Sequence, residues 1–281
     1  MDIRHDAAAQ RFEAEVEGQT LVLDYLREPG RLIITHTHTP PLLRGRGLAA
    51  QLLEHVLHWL APQALQLQPD CSYAAHFLQR QPRWQRLLEP AEVQQVLNFW
   101  FGAPGSADDG QPRSAWFHKR EAFDREIAER FGARIEAALG GALQGWEASP
   151  PGCLALILLL DQFTRNVNRQ QARAFAGDAR ALRLALALLD DGRAQDLPPL
   201  QRWFVLMPLE HAEDLALQRR CVAGFEALAA EDPRLAGALD YAHRHLEVIE
   251  RFGRFPHRNA ALGRASTAAE LDYLSQAGAG F

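Results

Sequence analysis

The sequence predicts a chain of two units, an α+β unit over residues 1–89 and an all-α, helical-hairpin unit over residues 90–281. Three observations predict it. Period-two alternation of apolar and polar residues runs through residues 11–39 and returns near Leu67, then vanishes after Pro90. A glycine-rich turn between an apolar run and an apolar-periodic segment has the order strand, turn, helix. At 281 residues the chain is also long for a single core.

The elements follow in order. Phe12, Ala14 and Val16 alternate with Glu13, Glu15 and Glu17, which predicts a strand ended by Gly18. Leu21 to Leu26 predicts a second strand, Glu28-Pro29-Gly30 a turn, and Arg31 to Thr39 a third strand stopped by Pro40-Pro41. A helix is expected from Leu48 to Leu60, then a fourth strand through Ala64-Leu65-Gln66-Leu67-Gln68 and a short helix through Phe77 and Leu78. Beyond Pro90, apolar periodicity predicts nine helices at roughly 91–101, 114–131, 133–146, 152–166, 175–190, 199–217, 219–230, 234–252 and 267–276. Their short links imply neighbours packed in hairpins.

Composition narrows the function. A net charge of −5 gives no basic field for nucleic acid. The longest aliphatic run, Leu154 to Leu160, is too short to span a bilayer. Cys71, Cys153 and Cys221 form no paired framework, and the first residues lack the apolar core of a signal peptide, so a soluble, cytoplasmic protein is expected. Lys119 is the only lysine, which confines Schiff-base chemistry to that position.

The stretch Arg44-Gly45-Arg46-Gly47-Leu48-Ala49 carries the sharpest chemistry in the first unit. Amide groups converging at a helix mouth favour a pyrophosphate, the glycines allow close approach, and the arginines add forked donors. With His36-Thr37-His38-Thr39-Pro40, Pro69-Asp70-Cys71-Ser72-Tyr73 and Pro82-Arg83-Trp84, it resembles the minimal, cysteine-containing branch of the GCN5-related N-acetyltransferases over residues 9–88. The resemblance implies acetyl-CoA as acyl donor, an unidentified amine as acceptor, and a pyrophosphate site at residues 44–49. It also implies catalytic roles for Cys71 and His36. Cys71 either accepts the acetyl group or lines the tunnel, and His36 either acts as general base or holds a water that does. His36 and His38 are read as facing opposite sides of their strand, and no metal site is assigned.

In the second unit several stretches are too polar for mere packing. These are Asp161-Gln162-Phe163-Thr164-Arg165-Asn166, Glu210-His211-Ala212-Glu213-Asp214, and His245 with Arg254-Phe255-Pro256-His257-Arg258. With Leu97-Asn98-Phe99-Trp100-Phe101-Gly102 they resemble the bacterial family of unknown function DUF924 over about residues 91–276, which implies a tetratricopeptide-like fold and no established activity. Asp161 and Arg165 share a helix face, as Glu210, Glu213 and Asp214 would on a helix reaching residue 217. Glu213, Asp214, His245 and His257 are expected to meet in a cleft rimmed by Arg165, Arg254 and Arg258. Three chemistries fit: a buried ion-pair network, a pocket for an anionic ligand, or the acid–base or metal site of a hydrolase. Trp100, Trp116, Trp146 and Trp203 either anchor the core or line a groove for a peptide or protein ligand.

The combined expectation is an acetyl-CoA-dependent N-acyltransferase fused to a helical unit. Its rivals are a non-catalytic CoA-binding and peptide-scaffolding protein, and a hydrolase centred in the helical unit.

Overall fold

The computed structural model describes residues 1–63, 65–276 and 278–279. Ala64, in the expected fourth strand, lies outside the described residues, as do Ala277, Gly280 and Phe281 at the end of the second unit. The chain divides into two compact units, Met1–Gln111 and Pro112–Phe281.

The first unit contains a five-stranded sheet of β1 (Ile3–Asp6), β2 (Arg11–Val16), β3 (Gln19–Glu28), β4 (Arg31–His38) and β5 (Gln66–Pro69), in sequential order. β1 to β4 are antiparallel, and β5 runs parallel to β4. That parallel pair requires a crossover, supplied by α1 (Leu48–Leu60). Leu52, Leu53, Val56, Leu57 and Leu60 on α1 repeat at helical spacing and form one core with Leu21, Leu23, Tyr25, Leu32 and Ile34 from the sheet. α2 (Ser72–Gln79) adds Ala74 and Leu78 to the same core.

Two features of the sheet were not anticipated. β1 is an extra edge strand whose Ile3 is its one apolar residue, so it carries no alternation to detect. A bulge interrupts β3–β4: Asp24 faces His36, but Tyr25 faces Ile34, leaving Thr35 unopposed. Thr35 Oγ1 donates to the Asp24 carbonyl at 3.2 Å. The extra residue reverses the parity of β4. Leu32 and Ile34 join the core before it; beyond it Thr37 lies opposite the core residue Leu23.

α3 (Ala91–Phe101) occupies the span expected of it. Gln94 is buried on this helix, and its Nε2 donates to the carbonyls of Glu89 at 2.7 Å and Leu65 at 2.9 Å. Those bonds tie α3 to the end of the sheet region. α3 follows the boundary expected at Glu89–Pro90 and lies in the compact unit Met1–Gln111.

The second unit is helical: α4 (Glu121–Leu139), α5 (Pro150–Ile157), α6 (Thr164–Val167), α7 (Asp178–Asp190), α8 (Pro199–Glu210), α9 (Leu215–Glu231), α10 (Ala236–Phe252) and α11 (Ala268–Leu274). The wide turns of a π-helix, Leu158–Phe163, join α5 to α6. α7 packs on α8, α8 on α9 and α9 on α10.

The two helices expected at 114–131 and 133–146 are replaced by α4, which runs through Gly132. A single glycine costs a helix interior only about 1 kcal/mol, and buried Ile127, Phe131, Ile135 and Ala138 continue the apolar stripe across it. The helix expected to reach residue 217 ends at Glu210. Asp214 begins the next one, its side chain accepting from the Leu217 amide at 2.9 Å.

Candidate functional site

In the first unit, Gly45 and Gly47 take φ of 76° and 75°, a left-handed conformation that favours glycine. Gly47 caps α1, so Leu48 and Ala49 form its first turn. Among the described residues none accepts from the amides of residues 45 to 50. The helix mouth therefore presents its donors outward. Arg44 Nε donates to the Thr39 carbonyl at 3.2 Å, and the Arg46 guanidinium grips the Glu17 carboxylate at 2.7 and 3.0 Å.

Cys71 sits between β5 and α2, at the cap position of α2. Its amide donates to the Ile34 carbonyl at 2.9 Å, and its Sγ lies 3.5 Å from Thr37 Oγ1. Partial burial pushes the thiol up. Hydrogen bonds with Thr37 and with the main chain of Ala74 and Tyr73 outweigh that and hold it below its ordinary value. A sulfur at a helix N-terminus with oriented donors is the microenvironment of a nucleophilic thiolate. Cys221 and Cys153 are instead pushed up by burial, Cys153 to about 12.

His36 is not brought to Cys71. Thr37 faces the sulfur, so His36, one residue earlier, points through the other face of the sheet. His36 and His38 do not face opposite sides either: residues two apart on a strand share a face, and their rings stack with centroids 6.3 Å apart.

The second unit holds a compact charged cluster. Asp161 lies in the π-helix, wholly shielded from solvent, and accepts from His211 Nδ1 at 2.7 Å, Arg165 Nη1 at 2.8 Å and Gln162 Nε2 at 2.6 Å. Burial raises its pKa, but Arg165 and His211 overcome this and hold it well below the usual carboxylate range. Arg165 Nη2 also donates to Asp178 Oδ2 at 2.9 Å. Asp178 is shifted the other way, upward, chiefly by burial. Burial, then the Arg165 charge, pushes His211 below the ordinary imidazole value, so it is neutral near pH 7 and donates Nδ1–H to Asp161. Arg258 Nη1 donates to the His211 carbonyl at 2.9 Å, and its guanidinium lies between the rings of Phe255 and Phe175, 4.4 and 5.0 Å from their centroids.

A second carboxylate–imidazole pair stands beside the first. Glu210 Oε1 is 2.9 Å from His245 Nδ1, which also donates to the Tyr241 carbonyl at 2.8 Å, and the His211 and His245 ring centroids are 6.3 Å apart. The His257 ring is tilted against Phe255 with centroids 5.6 Å apart, and burial together with Arg258 pushes it down to about 3.

The remaining expected members are placed elsewhere. Glu210, Glu213 and Asp214 do not share a helix face, because α8 stops at Glu210. Glu213 binds the Phe255 amide at 2.8 Å and the Arg264 guanidinium at 2.6 and 2.9 Å. Asp214 is an exposed cap, and Arg254 pairs with Glu270 of the Thr267–Glu270 capping box. Asn166 joins a separate group, donating to Asp124 at 2.7 Å beside Arg169. Among the described residues no three His, Cys, Asp or Glu side chains are placed to hold a metal ion.

Asp178 was not anticipated. An acid at the first position of a helix has an ordinary reason to be there, so sequence gives no sign that it reaches Arg165. The nearer signal is Gly177, where a Cβ would meet the Leu160 carbonyl oxygen at 2.2 Å. Only glycine lets α7 start this close to the π-helix.

A sheet-based unit with an open helix mouth and a helical unit with a buried charged cluster define the class. The chain belongs to the family described as bacterial protein of unknown function (DUF924), whose model matches residues 96–278. Residues 11–87 match the GCN5-related N-acetyl-transferase model. A solved protein of unknown function from Agrobacterium tumefaciens is 36% identical, with a TM-score of 0.57, and the match covers 66% of this chain and 97% of that one. No described helix is long and apolar enough to cross a membrane.

Proposed function

We propose that the first unit is an N-acyltransferase that uses acetyl-CoA as donor and passes the acyl group through Cys71 to an amine. The observation that carries the reading is the Cys71 sulfur, hydrogen-bonded to Thr37 and to the first amides of α2 and held below the ordinary thiol range. The open mouth of α1 supports it, since outward amides from Gly45 to Ala50 with Arg44 and Arg46 suit a diphosphate. Glu17 holds Arg46 until the donor's phosphates compete for it.

In this reading the Cys71 thiolate attacks the thioester carbonyl carbon. The bond to the CoA sulfur breaks and CoA leaves as the thiolate. The amine then attacks acetyl-Cys71, losing its proton to water, and Cys71 leaves as a thiolate held by Thr37 and the α2 mouth. His36 takes no part in the thioester step, because it stands on the other face of β4. The helical unit, whose helices α7 to α10 pack in sequence, fits a tetratricopeptide-like array.

Mass spectrometry after incubation with isotopically labelled acetyl-CoA tests the reading. One acetyl group on Cys71, released by an added amine and absent in Cys71→Ala, is the expected result. Full amine acetylation by Cys71→Ala overturns the nucleophile; no CoA binding at all overturns the transferase.

A further inference from the structure

The charged cluster in the helical unit contains three polar atoms that the protein leaves unmatched, and they are complementary. Arg258 is 6% exposed, and its Nε has no hydrogen-bond partner. Its Nη1 is spent on the His211 carbonyl, and the nearest recorded carboxylate, Asp178 Oδ2, stands off at 3.6 Å. Asp178 Oδ1 is likewise buried without a partner. His211 is the third. Its Nδ1 is fixed by Asp161, while Nε2 has no partner among the described residues and is not sealed from solvent.

One buried donor on a cation beside two acceptors is an unusual remainder. Buried polar groups are nearly always satisfied, and leaving one unmade costs about 1–3 kcal/mol. Asp161, by contrast, is fully engaged, with Arg165, His211 and Gln162 all bonded to it.

We propose that this cluster binds a small molecule carrying an oxyanion, phosphate or carboxylate, next to a hydroxyl, and that His211 takes the hydroxyl proton. Arg258 Nε–H donates to the oxyanion, Asp178 Oδ1 accepts from a second hydroxyl or a protonated phosphate oxygen, and the reacting O–H faces His211 Nε2. The proton moves from that oxygen to Nε2. The imidazolium formed is stabilised by ionised Asp161 across the 2.7 Å bond, and the proton returns from Nε2 to that same oxygen before the ligand leaves. Asp161 is a positioning residue: it sets the tautomer that leaves Nε2 as the acceptor. Burial first, then the Arg165 charge, holds His211 below the ordinary imidazole range and keeps that lone pair available at neutral pH, and the repulsion from Arg165 and Arg258 is one that a bound oxyanion relieves. The site is independent of acyl transfer by the first unit.

The test uses the full chain with diethyl pyrocarbonate, which modifies unprotonated imidazole, and maps each histidine by mass spectrometry. His211 is expected to react, and millimolar inorganic phosphate or malate is expected to slow it severalfold, whereas exposed His36 and His38 are unaffected. Protection by phosphate alone, or by malate alone, identifies the oxyanion. Protection by neither, or equal protection of His36, overturns the proposal. Arg258→Gln is expected to abolish protection, and persistence of protection in that variant overturns the assignment of the anion to Arg258. If Arg258→Gln does not fold, nitrogen NMR of the wild-type imidazole decides the rest. His211 is expected as the Nδ1–H tautomer at pH 7, shifting on phosphate addition; the Nε2–H tautomer overturns the base.

Discussion

His211 donates through Nδ1 to Asp161 at 2.7 Å, and that carboxylate has no exposed surface. A buried anion held by a guanidinium and an imidazole loses far more when broken than an exposed pair does. Asp161→Asn removes the charge and leaves Arg165 and His211 facing an amide. The expected cost is about 3–5 kcal/mol, measured by urea unfolding. An effect below about 1 kcal/mol would show that Arg165 is held mainly by Asp178.

The acid limb of stability has a defined sign. Burial, first, and Arg258 push His257 down to about 3, and His211 is shifted the same way. An unfolded histidine titrates near ~6.5. Below that pH the unfolded chain binds protons that the folded chain refuses, so this part of the stability is complete above ~6.5 and is lost as pH falls toward about 3. Urea midpoints measured from pH 7 to pH 4 are expected to fall, and His257→Gln is expected to flatten the slope. Asp161 acts in a separate window, being depressed: its contribution is complete above ~3.9 and is lost only below it.

Thiol chemistry separates the three cysteines. Iodoacetamide at pH 7 is expected to alkylate Cys71 first, while Cys153 and Cys221, buried and pushed up, stay unmodified in the native protein. Thr37→Val is expected to slow Cys71 severalfold and move its pH profile upward. His36→Ala is expected to leave both unchanged, because that ring stands on the far side of β4. A slowing by His36→Ala equal to that of Thr37→Val contradicts the placement.

Two glycines predict opposite outcomes. Gly177→Ala drives a Cβ into the Leu160 carbonyl and is expected to cost about 2 kcal/mol or more, since backbone cannot yield as a side chain does. Gly132→Ala, inside α4 with nothing near the added methyl, is expected to gain about 0.5–1 kcal/mol. Thermal unfolding of the two variants checks both.

Local patterns were legible where one periodicity governed. Leu21 and Leu23 announced their strand, and Leu52, Leu53, Val56, Leu57 and Leu60 the buried face of α1. The Asp161–Arg165 pair and the Gly45–Gly47 turn were also visible, because each depends on spacing within a few residues. What stayed hidden depends on single exceptions to a period. One unopposed residue, Thr35, turns Thr37 toward Cys71 and His36 away from it. Gly132 reads as a break, yet packing on both sides carries the helix through it. The end of α8 at Glu210, with Asp214 free to cap α9, removed the face on which Glu213 was expected beside Glu210. Asp178 was illegible for another reason: its partner lies on a different element, and only the close approach at Gly177 joins them.

The π-helix between Leu158 and Phe163 holds one more residue than an α-helical path of equal reach. Deleting a residue there restores the tighter winding, but swings Thr164 and all that follows by about 100° around the axis. Arg165 then leaves Asp178, and Asp161 leaves His211. A shortened chain of this kind gains a better-wound helix and forfeits the Asp161–His211 and Arg165–Asp178 bonds, so the surplus residue is the geometric origin of the cluster and not a defect in it.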